Sequence, residues 1–156
     1  MLAAMAPVDP GKRSVIIQRG RPKAYRPLAP AERRAALRAG LDAYARDEWF
    51  LAHELLEPAW MGTADPAERD LYQGLIKLAA GHVHRQRGNP IGLGRHLAGA
   101  RAHLVAAIDG GTDAAGLDLP AIVAEIDRRL AALDSLGAAQ VATVPAIVIE
   151  APSGRL

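Results

Sequence analysis

The sequence predicts an all-α fold, a single helical bundle of about five helices with irregular or extended N- and C-terminal tails. Half of the 156 residues are hydrophobic and only 4% are aromatic. A composition dominated by alanine and leucine favours helices packed through small side chains over a sheet. Helix-start signals recur from residue 30 onward, and the length fits one domain. We therefore expect a basic irregular tail over residues 1–29, the bundle over 30–137 and an extended tail over 138–156.

The first two helices are predicted from the residues around positions 30 and 47. Pro30 followed by Glu32 is typical of a helix start, because proline fits the first turn and an acidic side chain is favourable there. The second helix covers about 47–61. Pro58 lies inside it and removes a backbone donor, so we expect a kink or a break at that residue.

The remaining helices follow from three further signals. Residues 65–68 read Asp-Pro-Ala-Glu, which supplies an N-cap, a proline at the first helical position and an acid at the third. Gly-Asn-Pro at 88–90 ends that helix and begins a fourth, which should run to about residue 108. Pro120 begins the fifth helix, which we expect to end near Gly137.

The two tails contain segments that favour extended backbone. Residues 14–18 could form a short strand, and residues 141–150 are β-branched and interrupted by proline. The two segments could pair with each other, within one chain or across a homo-oligomer, so another copy or a different protein is an expected partner. The alternative for the C-terminal segment is a disordered end.

Positive charge is concentrated near the N-terminus. The first thirty residues hold six basic residues and one acidic residue, although the net charge of the whole chain is only +2. A basic arm can bind nucleic acid or acidic partners. Its composition favours a solvated, flexible tail, so nucleic acid is retained as an alternative partner and not as the expected one.

Cysteine usage and hydropathy predict a cytoplasmic protein. The chain has no cysteine, which excludes disulfides, thiolate zinc sites and cysteine nucleophiles and is typical of a reducing cytosol. No apolar run reaches the roughly 18 residues of a membrane span. The first residues lack the basic region of a signal peptide. We therefore expect no membrane partner.

The second predicted helix concentrates the aromatic residues of the chain. At roughly 100° per residue, one of its faces carries four large apolar side chains, Trp49, Phe50, Leu56 and Trp60. His53 and Glu57 lie in the middle of this face. Because so apolar a face should turn inward, the imidazole and the carboxylate should be paired, hydrogen-bonded or metal-bound. They form either a structural pair or part of a site.

The third predicted helix carries a stripe with the polar residues Gln73, Lys77 and His84, together with Ala80, on an otherwise apolar surface. One interpretation is an ordinary solvent face. The other is that the second and third helices form an antiparallel hairpin. In that arrangement Gln73 and His84 face the polar residues of the second helix across the bundle interior.

Three other histidines have simpler interpretations. His82 lies on the apolar side of the third helix, where a core residue is expected. His96 and His103 are seven residues apart on one face of the fourth helix. Since no matching carboxylate is evident in the sequence, we expect both at the surface or at an interface.

A metal site is the sharpest functional hypothesis. His53 and Glu57 are four residues apart, so both side chains can reach one ion. His84 would be the third ligand, with one position left open for water. Residues 53–57 resemble the zinc-protease motif His-Glu-x-x-His with glutamate in place of the second histidine. Glu54 would then be the candidate catalytic base, and a divalent ion the cofactor.

Two sequence blocks carry a family resemblance. The first reads Ala-His-Glu-Leu-Leu-Glu-Pro-Ala-Trp over 52–60. The second reads Tyr-Gln-Gly-Leu-Ile-Lys-Leu-Ala-Ala over 72–80 and is followed by Arg-Gly-Asn-Pro at 87–90. Over roughly residues 32–108 the chain resembles the bacterial domain-of-unknown-function family 309, which implies a compact all-helical domain and no established activity. The residues that match its pattern are His53, Glu54, Glu57, Trp60, Gln73, Gly74, His84, Gly88 and Asn89.

Together these observations predict a non-catalytic interaction or scaffold module. Its polar cluster of His53, Glu57, Gln73 and His84, beside Trp60, is expected to be buried. The alternative is a protein that binds a metal ion or a small ligand through the same residues, with metal-dependent hydrolysis as its catalytic form. From the sequence, either an enzyme or a binding module fits.

Overall fold

The structure contains the five predicted helices. A computed structural model describes residues 15–18, 20–114 and 116–150. Its elements in chain order are β1 (Val15–Gln18), β2 (Arg21–Ala24), α1 (Pro30–Ala45), α2 (Trp49–Gly62), α3 (Pro66–Gln86), α4 (Pro90–Asp109), α5 (Leu119–Leu133) and a 3-10 helix (Ala138–Thr143). The all-α prediction is confirmed. No helix in these residues is both long enough and apolar enough to cross a membrane.

Local signals account for most of the helix ends. Asp65 and Asn89 each accept a hydrogen bond from a backbone N–H of the first turn that follows them, as N-cap residues do. Gly88, just after α3, has a φ of 66°, a left-handed conformation that glycine adopts without strain. The last helix ends at Leu133, earlier than the stop expected near Gly137.

The predicted break at Pro58 is wrong, because α2 continues through this residue to Gly62. Proline removes one hydrogen bond from a helix. On the opposite side of α2, Ala52, Leu56 and Ala59 are at most 1% exposed. Since most helix stability in proteins comes from packing of an apolar side, burial of these residues maintains the helix past the missing bond.

The central helix of the bundle is α3. It packs against α2 and, more extensively, against α4, while α1 packs against α2 and α5 against α4. Gly74 allows α3 and α4 to approach closely, because a Cβ at this position would lie 2.6 Å from Leu104 Cδ2. The leucines of these two helices that are at most 1% exposed are Leu71, Leu75, Leu78, Leu93, Leu97 and Leu104.

Buried polar groups fasten a β-hairpin to α3. Strands β1 and β2 pair antiparallel with each other in a two-stranded sheet, so β1 does not pair with the C-terminal segment of the same chain within the described residues, and pairing across two copies stays a hypothesis. Gln18 donates a hydrogen bond to Asp70 Oδ1 (3.0 Å), which also accepts one from His103 Nδ1 (2.7 Å). Arg69 donates to Gln18 Oε1 (3.2 Å) and to the carbonyl oxygen of Ala24 (3.0 Å). His103 thus has a carboxylate partner that was not evident from the sequence.

The C-terminal segment packs into the bundle. It begins as the 3-10 helix, where extended backbone was predicted, and continues without regular structure to residue 150. Ile147 is fully buried. Tyr44 donates to the Ile147 carbonyl oxygen (2.6 Å), and the Ile147 N–H donates to His82 Nε2 (3.3 Å). Arg85 and Arg129 donate to further carbonyl oxygens of the segment. These contacts offset the entropy lost in ordering the segment.

His82 lies in the core, as its place on the apolar side of α3 predicted. It is 1% exposed, and its ring lies 4.7 Å from the Trp49 ring between centroids. Burial lowers the pKa of His82 to about 3, helped by the charges of Arg85 and Arg129. The imidazole is therefore neutral over the physiological pH range.

The basic N-terminal arm is only partly described. Arg21 and Lys23 lie on β2 and Arg26 follows it, whereas Lys12, Arg13 and Arg19 lie outside the described residues. Association with nucleic acid stays an untested alternative. The division of the chain at residues 29 and 137 stays a prediction.

Candidate functional site

The aromatic face of α2 is only partly buried. Trp49 and Leu56 are 3% and 1% exposed, but Phe50 is 65% exposed, so the expectation that this whole face turns inward is wrong for Phe50. The face is too wide to be covered, because Phe50 lies about 100° from Trp49 around the helix. The bundle covers the Ala52 side of α2 and leaves Phe50 at an exposed edge.

His53 and Glu57 lie between the buried and exposed sides of α2. Both residues are half-buried, and the side chain of His53 is 29% exposed. The predicted buried cluster is therefore a half-buried one. Water still reaches these two side chains, so the large cost of enclosing unpaired polar groups does not arise.

Helices α2 and α3 meet in an antiparallel register that brings several predicted residues together. Near the connection, Trp60 Nε1 donates a hydrogen bond to Gln73 Oε1 (3.0 Å). One helical turn away from the connection, Glu57 of α2 and Lys77 of α3 line the same cavity, and His53 follows one turn later. The i, i+4 spacing on both helices places these side chains on facing stripes.

Two adjoining cavities form a groove between α2, α3 and α4. The polar cavity, of about 220 Å³, is lined by His53, Glu57, Trp60, Gln73, Ile76, Lys77, Ala80 and His96. The aromatic cavity, of about 160 Å³, is lined by Phe50, His53, Ala80, Val83, His84 and Arg87. His53 and Ala80 line both cavities. The groove therefore gathers all five residues of the predicted cluster, Trp60 included.

Acceptors in the polar cavity come from α2. Glu54 lies 3.2 Å from His53 Nδ1, and since a carboxylate can only accept, His53 donates its Nδ1–H to it. The Nε2 atom of a neutral His53 is then an acceptor. Glu57 adds a carboxylate that, within the described residues, makes no hydrogen bond or ion pair.

Donors in the polar cavity come from α3. Because Gln73 Oε1 accepts the Trp60 indole N–H, the amide group of Gln73 presents its NH₂ on the other side. Lys77 adds an ammonium group that makes no hydrogen bond or ion pair within the described part of the chain. Its aliphatic stem lies against α4, where a Cβ at Gly99 would come 2.9 Å from Lys77 Cδ.

One tautomer of His84 is selected at the start of α4. Asn89 Oδ1 accepts from Gly92 N (2.9 Å), so the NH₂ of Asn89 is the group that lies 3.1 Å from His84 Nδ1. It donates to this atom, and the neutral ring therefore carries its proton on Nε2. Partial burial lowers the pKa of His84, and nearby His96 and Arg87 lower it further.

His96 forms the α4 wall of the groove and was not predicted there. Its ring stacks on His84 at 4.7 Å between centroids, and its Nδ1–H donates to the Gly92 carbonyl oxygen (2.9 Å). Gly92 permits this approach, because a Cβ there would lie 2.4 Å from His84 Nδ1. The sequence signal was the spacing of Gly92, His96 and Gly99, which places them about one helical turn apart on one side of α4.

The metal-ligand geometry differs from the prediction. Within the described residues, the donor atoms of His53, Glu54 and Glu57 lie within 4.8 Å of one another. His84, the predicted third ligand, is outside this group and lines the aromatic cavity. Glu54, the candidate base, is inside the group and its side chain is 50% exposed.

Trp60 connects the groove to the buried network at the start of α3. The Arg69 guanidinium lies 4.6 Å from the Trp60 ring centroid, and Arg69 also donates to the Trp60 carbonyl oxygen (2.9 Å). The indole is therefore contacted over its face by a buried cation and at its N–H edge by Gln73. A rigid back wall of this kind favours a preorganised cavity.

The fold and the groove define the chain as a small all-helical domain with a polar groove between a helical hairpin and the next helix. Residues 37–95 match the model of a family described as "Domain of unknown function (DUF309)", so this part of the chain is similar to that family. The match is narrower than residues 32–108, over which the resemblance was expected. No curated protein matches the chain, and no solved structure does.

Proposed function

We propose that this chain is a non-catalytic binding module and that the groove between α2, α3 and α4 is where it binds a small polar molecule. A single observation carries this proposal: the side chains of the two sequence blocks converge on one solvent-open groove, where Glu57 and Lys77 have no hydrogen-bond partner among the residues that the structure describes. A cytosolic setting is part of the proposal, since the chain has no cysteine.

The size and chemistry of the groove support a small ligand. Each cavity is below the roughly 300 Å³ at which pockets for drug-sized molecules begin. Apolar walls with a few convergent polar groups are typical of ligand sites. Two polar groups are held in place before any ligand binds. The hydrogen bond from Trp60 fixes the amide of Gln73, and packing of the aliphatic stem against Gly99 restricts Lys77.

The two tryptophans provide a direct test. Trp60 lines the groove, whereas Trp49 is buried in the core beside Tyr44 and His82. In a ¹H–¹⁵N NMR spectrum of the labelled protein, a library of small polar fragments should contain members that shift the Trp60 indole N–H signal and leave the Trp49 signal unchanged.

A matched pair of variants localises the effect. Ala80 lines both cavities, so Ala80→Phe should fill the groove and abolish the Trp60 shifts. Ala98→Phe, on the exposed side of α4, should preserve them. A library that never moves the Trp60 signal, or shifts that persist in Ala80→Phe, would refute the proposal.

A second candidate function is the binding of a divalent metal ion by His53, Glu54 and Glu57. Ligands of a tetrahedral zinc ion, each about 2.1 Å from it, lie roughly 3.4 Å apart. The three donor groups, within 4.8 Å of one another, would need only small side-chain rotations to reach that spacing. One coordination position would remain open to water.

Titration with Zn²⁺ by calorimetry tests the metal candidate. His53→Ala should abolish the binding heat, whereas His96→Ala, which removes a histidine of the same groove outside the ligand group, should retain it. Equal losses in the two variants, or no heat in the natural protein, would eliminate this candidate. Hydrolysis with Glu54 as the base is not part of this candidate, because here Glu54 is a ligand of the ion.

A further inference from the structure

We infer that the ligand of the groove is a small zwitterion, an α-amino acid or a molecule with the same pair of groups. Its ammonium group would bind to Glu57 on α2, and its carboxylate to Lys77 on α3. This inference rests on the proposed binding function and names the chemical class of the ligand.

Opposed, unpaired charges are the first observation behind it. Glu57 and Lys77 line one cavity from facing helices, yet they form no ion pair with each other or with another described residue. A ligand with one charge would satisfy one of them and leave the other without a partner. A ligand with a cation and an anion a few ångströms apart satisfies both.

The neutral hydrogen-bonding groups of the cavity are arranged in the same way as the two charges, with an acceptor beside Glu57 and donors beside Lys77. Beside Glu57, His53 Nε2 is a second acceptor, because Glu54 takes the Nδ1–H. An ammonium group, with three N–H donors, can use both acceptors. Beside Lys77, Gln73 presents amide N–H donors, which suit a carboxylate that accepts several bonds. Acceptors thus lie along α2 and donors along α3.

The aromatic cavity suits the third part of an amino acid, its side chain. It opens from the polar cavity at His53 and Ala80 and is lined by the apolar side chains of Phe50 and Val83. An aliphatic group placed there removes apolar surface from water, which favours binding. The exposed Phe50 ring, 65% accessible, is then a surface that the ligand covers.

Three matched probes separate the contributions of the two charges. Leucine has both, 4-methylpentanoate lacks the ammonium group, and 3-methylbutylamine lacks the carboxylate. In buffer with EDTA, which removes metal ions, leucine should shift the Trp60 indole signal with an affinity about tenfold or more above that of either analogue, because charge-assisted hydrogen bonds are worth about this much.

Two variants test whether Glu57 binds the ammonium group of the ligand and Lys77 its carboxylate. In Glu57→Gln the leucine affinity should fall to that of 4-methylpentanoate, and in Lys77→Met to that of 3-methylbutylamine. Lys23→Met on β2 is the matched control and should bind leucine as the natural protein does. Leucine that binds no better than its analogues, or that is insensitive to both groove variants, would overturn the inference.

The outcome distinguishes this inference from the proposed function. Fragments that move the Trp60 signal without any preference for both charges would preserve the groove as a binding site and reject the zwitterion. If neither fragments nor leucine move the signal, both are rejected.

Discussion

The two polar regions of α3 differ in whether their groups are paired. At the first turns, Arg69 and Asp70 are buried, and hydrogen bonds to Gln18, Ala24 and His103 surround them. Two turns further along, Lys77 faces an open cavity without a partner among the described residues. The same helix thus carries one polar region that is closed and one that is open.

This difference separates structural polar residues from candidate binding residues. A buried polar group must be paired or it destabilises the fold, so the Arg69–Asp70 network is explained by burial alone. Lys77 and Glu57 have no such requirement, since water reaches them. Substitutions in the closed region should therefore change stability, and those in the groove should change binding.

Replacing Arg69 should give the largest loss of stability. Arg69→Ala removes a fully buried guanidinium and leaves Gln18 and the carbonyl oxygens of Ala24 and Trp60 without their donor. We expect the free energy of unfolding to fall by about 3–5 kcal/mol and the melting temperature by roughly 10 °C. Arg34→Ala, at an exposed site on α1, is the control. Equal melting temperatures for the two variants would show that burial of Arg69 contributes nothing.

His82 should make stability depend on pH. Its folded-state pKa of about 3 lies below the ordinary value of 6.5, so between these values only the unfolded chain binds the proton. Stability is therefore unaffected above pH 6.5 and falls below it, by about 1.4 kcal/mol per pH unit. Urea unfolding at pH 6.5, 5.5 and 4.5 should show a flatter profile for His82→Gln. Parallel profiles for the two proteins would contradict the prediction.

Gly92 should be needed for the stacked histidines of the groove. In Gly92→Ala the new Cβ would lie 2.4 Å from His84 Nδ1 and 2.6 Å from His84 Cγ, which should cost about 1–3 kcal/mol. Gly94→Ala is a control two residues away, where the nearest atom would be at an ordinary 3.7 Å. It should be neutral or stabilising by up to about 1 kcal/mol. Thermal unfolding measures the difference in stability between the two variants. Equal stabilities would show that His84 does not lie against Gly92 of α4.

Removing the groove charges should have the smallest effect on stability. Glu57→Gln and Lys77→Met delete half-buried groups without a described partner, so the free energy of unfolding should stay within about 0.5 kcal/mol of the natural value. Chemical denaturation measures it. A loss as large as that of Arg69→Ala would mean that the two charges stabilise the fold, and the division between the two regions would fail.

Local sequence signals were enough to predict the helices and the α2–α3 hairpin. Caps such as Asp65 and Asn89 and the stop at Gly88 act within a few residues, so a local pattern is enough to locate them. The short connection between α2 and α3 requires neighbouring antiparallel helices. Those two facts bring the segment around Trp60 close to the segment around Gln73, and the segment around Glu57 close to the segment around Lys77.

The rotation of each helix about its axis, and the residues that lie opposite it, depend on how the whole bundle packs. The exposure of Phe50, the place of His96 in the groove, the bond between His103 and Asp70 and the packing of Ile147 all depend on residues distant in the sequence. A helical pattern shows which side chains share a face. It does not show which part of a wide face is covered, because that depends on the packing of all neighbouring elements at once.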